Sequence, residues 1–123
     1  MKEKTLMALR GAIQCINTEE DIRKKTVLLY RELLSANNLA EQEIVSVIFS
    51  VTEDLNELNP ATALRAEGFA LNTALFVCKE AQFKGSLERV IRLLIHCCLD
   101  AQKKAVNVYL NGAEVLRPDN KLY

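Results

Sequence analysis

The sequence predicts an α/β or α+β domain in which a mixed sheet carries one long helix and a short second helix. Three observations carry this. A short apolar run precedes a long segment with helical spacing, β-branched and alternating apolar runs recur later, and capping, proline and glycine signals fall between them. The 123 residues suit a single domain over 1–123 with one core, and no linker or repeat divides them.

Residues 5–9 (Thr-Leu-Met-Ala-Leu) read as a buried strand, with Gly11 at its exit. Thr18 offers an N-cap, and Glu19, Glu20 and Asp21 complement the positive end of a helix. Ile22, Val27, Leu29, Tyr30, Leu33 and Leu34 follow at helical spacing, and Asn37-Asn38 suits a stop, so a helix is predicted over 18–37. The β-branched run 44–51 predicts a central strand. Asn59-Pro60 opens a short helix over 60–67 that bears Arg65, and Gly68 closes it. Residues 74–79 (Ala-Leu-Phe-Val-Cys-Lys) predict another strand. Over 86–99, Leu87, Val90, Ile91, Leu94, Ile95 and Cys98 form a helical stripe that Ser86 could cap, so pattern alone predicts a helix. Val106, Val108 and Leu110 alternate with Asn107 and Tyr109, a strand signature.

Composition narrows the function. Half the residues are apolar, which excludes disorder, and sixteen basic residues balance sixteen acidic ones. Without a polybasic cluster no nucleic-acid partner is expected. No apolar run approaches the length that spans a bilayer, and the start Met1-Lys2-Glu3-Lys4 lacks the apolar core of a signal peptide. A cytoplasmic chain without membrane partners is the expectation, and Cys15, Cys78, Cys97 and Cys98 are expected as free buried thiols. The chain holds no G-x-G-x-x-G, P-loop, G-x-S-x-G or C-x-x-C. His96 lies beside Cys97 and Cys98, but adjacent strand positions point to opposite faces and no second ligand cluster exists, so neither a metal nor a Cys-His pair is expected.

Arginine placement says more. Arg23 and Arg31 fall on the polar side of the long helix, whereas Arg10, Arg65, Arg92 and Arg117 sit at element ends or inside apolar stretches. Arg92 stands within Val90-Ile91-Arg92-Leu93-Leu94-Ile95, and a buried guanidinium needs a carboxylate or an anionic ligand. An internal salt bridge, for instance to Glu80, and a ligand site are both open from the sequence. Several such arginines together would suit a small di-anion.

The motifs resemble the AroH-type chorismate mutases, a small trimeric α/β class. The matching pieces are Arg10-Gly11-Ala12, Ser50-Val51-Thr52-Glu53-Asp54-Leu55, Pro60-Ala61 leading to Arg65, Glu80, and Gly85-Ser86-Leu87-Glu88-Arg89-Val90-Ile91-Arg92. Val108-Tyr109-Leu110 and Leu116-Arg117-Pro118-Asp119 complete a match over nearly the whole chain. The resemblance implies a homotrimer with sheets packed as a pseudo-α/β-barrel and active sites in clefts between subunits. It also implies that the stretch holding Arg92 is a core strand, and this reading is preferred to the helical one. The implied activity is conversion of chorismate to prephenate in aromatic amino-acid biosynthesis, without cofactor or metal.

By position, the resemblance implies that Arg10 and Tyr109 hold the enolpyruvyl carboxylate and that Arg92 reaches that carboxylate and the ether oxygen. Glu80 would accept from the ring hydroxyl, with Arg65 and Arg117 near the ring carboxylate. Ala61, Thr62 and Val77 would be secondary contacts, with Thr62 where a lysine can occur and Val77 where relatives often show Cys or Ser. Asn59 replaces an aromatic residue. Two other readings remain beside this one: a non-catalytic trimer binding a small anionic metabolite, and a structural module whose arginines serve salt bridges.

Overall fold

The computed structural model describes residues 3–118, so Asp119 of the last motif lies outside the described residues. Strand β1 (Lys4–Gln14) leads to helix α1 (Glu19–Ala36), and β2 (Ile44–Val51) leads to helix α2 (Pro60–Ala66). Strands β3 (Ala74–Lys79), β4 (Val90–Asp100) and β5 (Val108–Leu110) follow. Single 3₁₀ turns precede β2 (Glu41–Glu43) and follow β5 (Ala113–Leu116). The sheet runs in the order β3-β2-β4-β1-β5. Strand β4 is antiparallel to both β1 and β2, whereas the outer pairs β2–β3 and β1–β5 are parallel. This is the predicted mixed sheet with a long and a short helix.

Both helices cover one face. Thr18 Oγ1 accepts from Asp21 N at 3.1 Å to cap α1, whose buried stripe is Ile22, Thr26, Leu29, Tyr30 and Leu33. Burying one large apolar side chain contributes roughly 1.5–3 kcal/mol, more than the propensity differences of up to about 0.7 kcal/mol among ordinary residues, so the stripe sets how the helix sits. It packs on Leu9, Ile13, Val47, Phe49, Ile91, Leu93 and Ile95. Gly11 lies beneath it: a Cβ there would come within 2.9 Å of both Leu33 Cδ1 and Val108 O, so only glycine lets helix and strand approach this closely. Asn59 caps α2 through Ala61 N at 2.8 Å, with Pro60 in the first turn.

Three elements differ from the sequence reading. β1 does not end near Leu9 but runs through Arg10-Gly11-Ala12, and its first half is not buried, since Leu6 remains 63% exposed. β5 begins at Val108, because Val106 is taken by Asn37: its N–H donates to Asn37 Oδ1 at 2.8 Å and its carbonyl accepts from Asn37 Nδ2 at 2.9 Å. The expected helix stop thus also docks the strand that carries Tyr109.

The stretch 86–99 is not helical. Its ordered part is β4, as the resemblance implies, and Ser86 closes a turn by accepting from Phe83 N at 2.8 Å. Residues 91, 93, 95, 97 and 99 are buried under the helices, and 92, 94, 96, 98 and 100 are half-buried on the opposite face. Apolar residues on both faces of a central strand produce spacings of three and four by accident. Backbone partners on either side, β1 and β2, decide the matter.

Candidate active site

The sheet register builds the site. Ser50 pairs with Cys78 on one side and with Arg92 on the other; Arg92 pairs with Ala12, and Ala12 with Tyr109. Paired residues project to the same side of a sheet, so Cys78, Ser50, Arg92, Ala12 and Tyr109 form one row on the face away from the helices. Arg10 and Glu80, each two residues along, share that face. The register is pinned at the end of β2. Thr52 Oγ1 accepts from Val90 N at 3.0 Å and donates to Asp54 Oδ1 at 2.5 Å, and Asp54 accepts from Arg89 N, where the chain turns with positive φ. The Ser50–Asp54 motif therefore locks the start of β4 so that Arg92 lies opposite Ser50.

A cavity of about 260 Å³ opens on this face, lined by Arg10, Ile48, Ser50, Arg92, Leu94, Tyr109, Leu116 and Arg117 among others. Glu80 stands beside it. Its backbone N–H continues the ladder to Val51 O at 2.8 Å, and its Oε1 accepts a short hydrogen bond from Ser50 Oγ. Its Oε2 lies 3.2 Å from Arg92 Nε. That contact is an ion pair without hydrogen-bond alignment, so the buried Nε–H finds no acceptor among the described residues. The Arg92 side chain as a whole is 41% exposed. Arg92 thus makes the salt bridge to Glu80 that the sequence left open, with Nε buried, and its part-exposed side chain also lines the cavity.

The other wall comes from the chain after β4. Tyr109 is 5% exposed and packs with Ala12, Val90 and Ala113, with Leu87 and Leu116 against them. Asn111 and Gly112 both adopt positive φ, a turn that brings Leu116 and Arg117 back over the cavity. Gly112 N donates to Glu114 Oε1 at 2.6 Å, and Arg117 N to Glu114 O at 3.2 Å. Arg10 N donates to Asn107 Oδ1 at 2.9 Å, tying β1 to the segment entering β5.

The other residues singled out from sequence lie elsewhere in the chain. Ala61, Thr62 and Arg65 belong to α2 on the helical side, and Arg65 Nη2 donates to Thr73 O at 2.9 Å in the loop entering β3. Val77 projects with Val47 and Phe49 toward the helices and packs on the core. Cys78 takes the site face in its place, because alternation along β3 sends neighbours to opposite sides. Ser50, Ile48, Leu94 and Leu116 line the cavity without having been singled out. For Ser50 and Ile48 a signal existed in their alternation along β2, but only the register showed which face meets Arg92.

The cysteines are free, as expected, but only Cys15 and Cys97 are buried; Cys98 is half-buried and Cys78 exposed. Burial pushes the Cys15 thiol up to about 11 and also raises Cys97, so neither ionises readily as a nucleophile. No group of three His, Cys, Asp or Glu suited to a metal occurs among the described residues. His96 Nδ1 instead lies 3.2 Å from Ser46 Oγ. A larger hollow of about 450 Å³ lies near Glu41, Ala70 and Thr73. Its lining holds no cationic side chain, and Glu41 is already engaged by Tyr30 Oη at 2.5 Å and Ala70 N at 2.8 Å. No described helix is long and apolar enough to cross a membrane.

Three arginines line an apolar-floored cavity with no carboxylate in its lining, an arrangement in a small α+β protein that suits a compact multivalent anion. Residues 6–120 match the family model for chorismate mutase type I. The chain is 40% identical over 114 residues to chorismate mutase AroH of Thermus thermophilus, covering 90% of this chain and 93% of that one. It is 30% identical over 119 residues to chorismate mutase AroH of Bacillus subtilis, with 95% and 94% covered. The solved chorismate mutase from Clostridium thermocellum superposes with a TM-score of 0.80 at 40% identity, over 89% of this chain and 98% of that one. The chain belongs to the type I chorismate mutase family.

Proposed function

We propose that the protein converts chorismate to prephenate, a step of phenylalanine and tyrosine biosynthesis, in the cavity around Arg92. The observation that carries this reading is the Arg92 fork, with a buried Nε–H lacking an acceptor, placed beside two further arginines. The reaction is an intramolecular rearrangement in which one C–O bond breaks as a C–C bond forms. No proton moves and no covalent enzyme intermediate is needed. The protein has to hold the compact conformer and stabilise negative charge on the ether oxygen as the bond opens.

Arg92 supplies that charge. Its guanidinium is permanently protonated and forked, so one side chain serves both the ether oxygen and the neighbouring enolpyruvyl carboxylate. Arg10 and Tyr109 hold the same carboxylate, and Glu80 accepts from the ring hydroxyl while keeping Arg92 in place. Arg117, close to the surface, faces the ring carboxylate. Ile48, Leu94 and Leu116 exclude water, which strengthens every charge contact inside.

The site is completed by neighbouring copies in a homotrimer. Two features support this. The sheet face away from the helices is partly apolar and uncovered, with Leu6 63% and Phe76 67% exposed and Ile48 and Leu94 half-buried. Arg65, Ala61 and Thr62 lie on the helical side of the sheet, away from this chain's own cavity lining, and an inter-subunit cleft would bring them to a second copy's cavity. Mixing purified protein with chorismate tests the activity: loss of chorismate with matching appearance of prephenate is expected. Binding without turnover, or neither, would overturn it.

A further inference from the structure

We propose that Ser50 is a positioning residue for the rearrangement, acting on Glu80 and through it on Arg92; the inference rests on the site reading above. Glu80 is the first residue beyond β3, at the start of a segment that stays outside regular structure until Val90. A carboxylate in such a place has several rotamers available. Two contacts remove that freedom. Ser50 Oγ donates to Oε1, and Arg92 Nε faces Oε2. Ser50 is itself held from both sides, paired with Cys78 in β3 and with Arg92 in β4. The hydroxyl therefore transmits the rigidity of the central sheet to a carboxylate just beyond its edge strand. It leaves one lone pair of Oε1 and the outer edge of the carboxylate open to the ring hydroxyl of the substrate.

Arg92 needs this arrangement. Its Nε–H is buried without a hydrogen bond, so Glu80 contributes charge and direction but not a locked geometry. Without Ser50 the carboxylate can rotate onto the Arg92 fork and capture the nitrogens that the ether oxygen requires. The loss then falls on the transition state rather than on substrate capture, which Arg10 and Arg117 sustain.

Thr and Val have nearly the same shape and differ in the hydroxyl, so Ser50→Thr and Ser50→Val isolate the hydrogen bond from packing. Relative to Ser50→Thr, Ser50→Val is expected to lower kcat roughly tenfold or more with little change in KM, the size of a hydrogen bond to a charged group. In a Glu80→Ala background the Thr-to-Val difference is expected to vanish. Equal kcat for the two Ser50 variants, or the same difference with and without Glu80, would overturn the proposal. If instead Arg92→Ala keeps wild-type kcat, the site reading itself is wrong. Thermal unfolding of each variant identifies any loss that comes from misfolding.

Discussion

Arg92 places Nε beside Glu80 and also lines the cavity, so under the proposed mechanism a shorter cation is expected to replace it only in part. Lysine has a single point charge that pairs with Glu80 or reaches the ligand, but not both. Arg92→Ala is expected to lower kcat by ~10²–10³, the usual effect of removing one preorganised donor, and Arg92→Lys to recover only part of that. Steady-state rates at saturating chorismate check this, and wild-type kcat in Arg92→Ala would refute the assignment. Glu80→Ala is expected to lower kcat as well. Undiminished turnover there would make Glu80 purely structural.

Elements are set by their boundaries. At the start of α1, burial alone would raise the Asp21 carboxyl, but Ile16 N–H at 2.7 Å and Lys25 Nζ at 2.8 Å outweigh it and hold it below the ordinary aspartate range. A carboxyl lowered on folding stabilises the protein above its unfolded value of about 3.9, and that contribution is lost as pH falls through the lower folded value. Asp21→Asn should therefore reduce Tm at neutral pH, with the gap to wild type closing as the pH falls below about 4. A constant gap across that range would show that Asp21 acts through shape rather than charge. Gly11→Ala places a methyl group against Leu33 and the Val108 carbonyl. Overpacking of this kind costs ~1–3 kcal/mol, measurable as a lower denaturation midpoint.

At the scale of the whole molecule, the sheet has one face sealed by two helices and one left uncovered, which the proposed homotrimer would bury. Cavity and apolar face are continuous, since Ile48 and Leu94 belong to both. Assembly and catalysis should consequently fail together. Sedimentation is expected to give a particle three times the 13.8 kDa chain. Phe76→Asp, on the edge strand away from the cavity lining, is expected to yield smaller species with reduced turnover. A fully active monomeric variant would remove the inter-subunit cleft from the account.

Local chemistry determined much of this protein. The caps at Thr18 and Asn59, the stripe along α1 and the β-branched run at 44–51 depend on neighbours in sequence, and each element formed where those residues predict it. The arginines worth attention were also legible, because a cation inside apolar surroundings demands a partner wherever it sits. Non-local pairing decided the rest. The stretch around Arg92 has a helical spacing that only backbone partners on both sides could override. Val77 and Cys78 exchange faces on the strength of one residue of register. Ser50 gains its meaning from a hydroxyl thirty residues from its carboxylate partner. Sequence spacing encodes periodicity within an element, whereas the side of a sheet on which a residue meets its partner is fixed only when the strands pair.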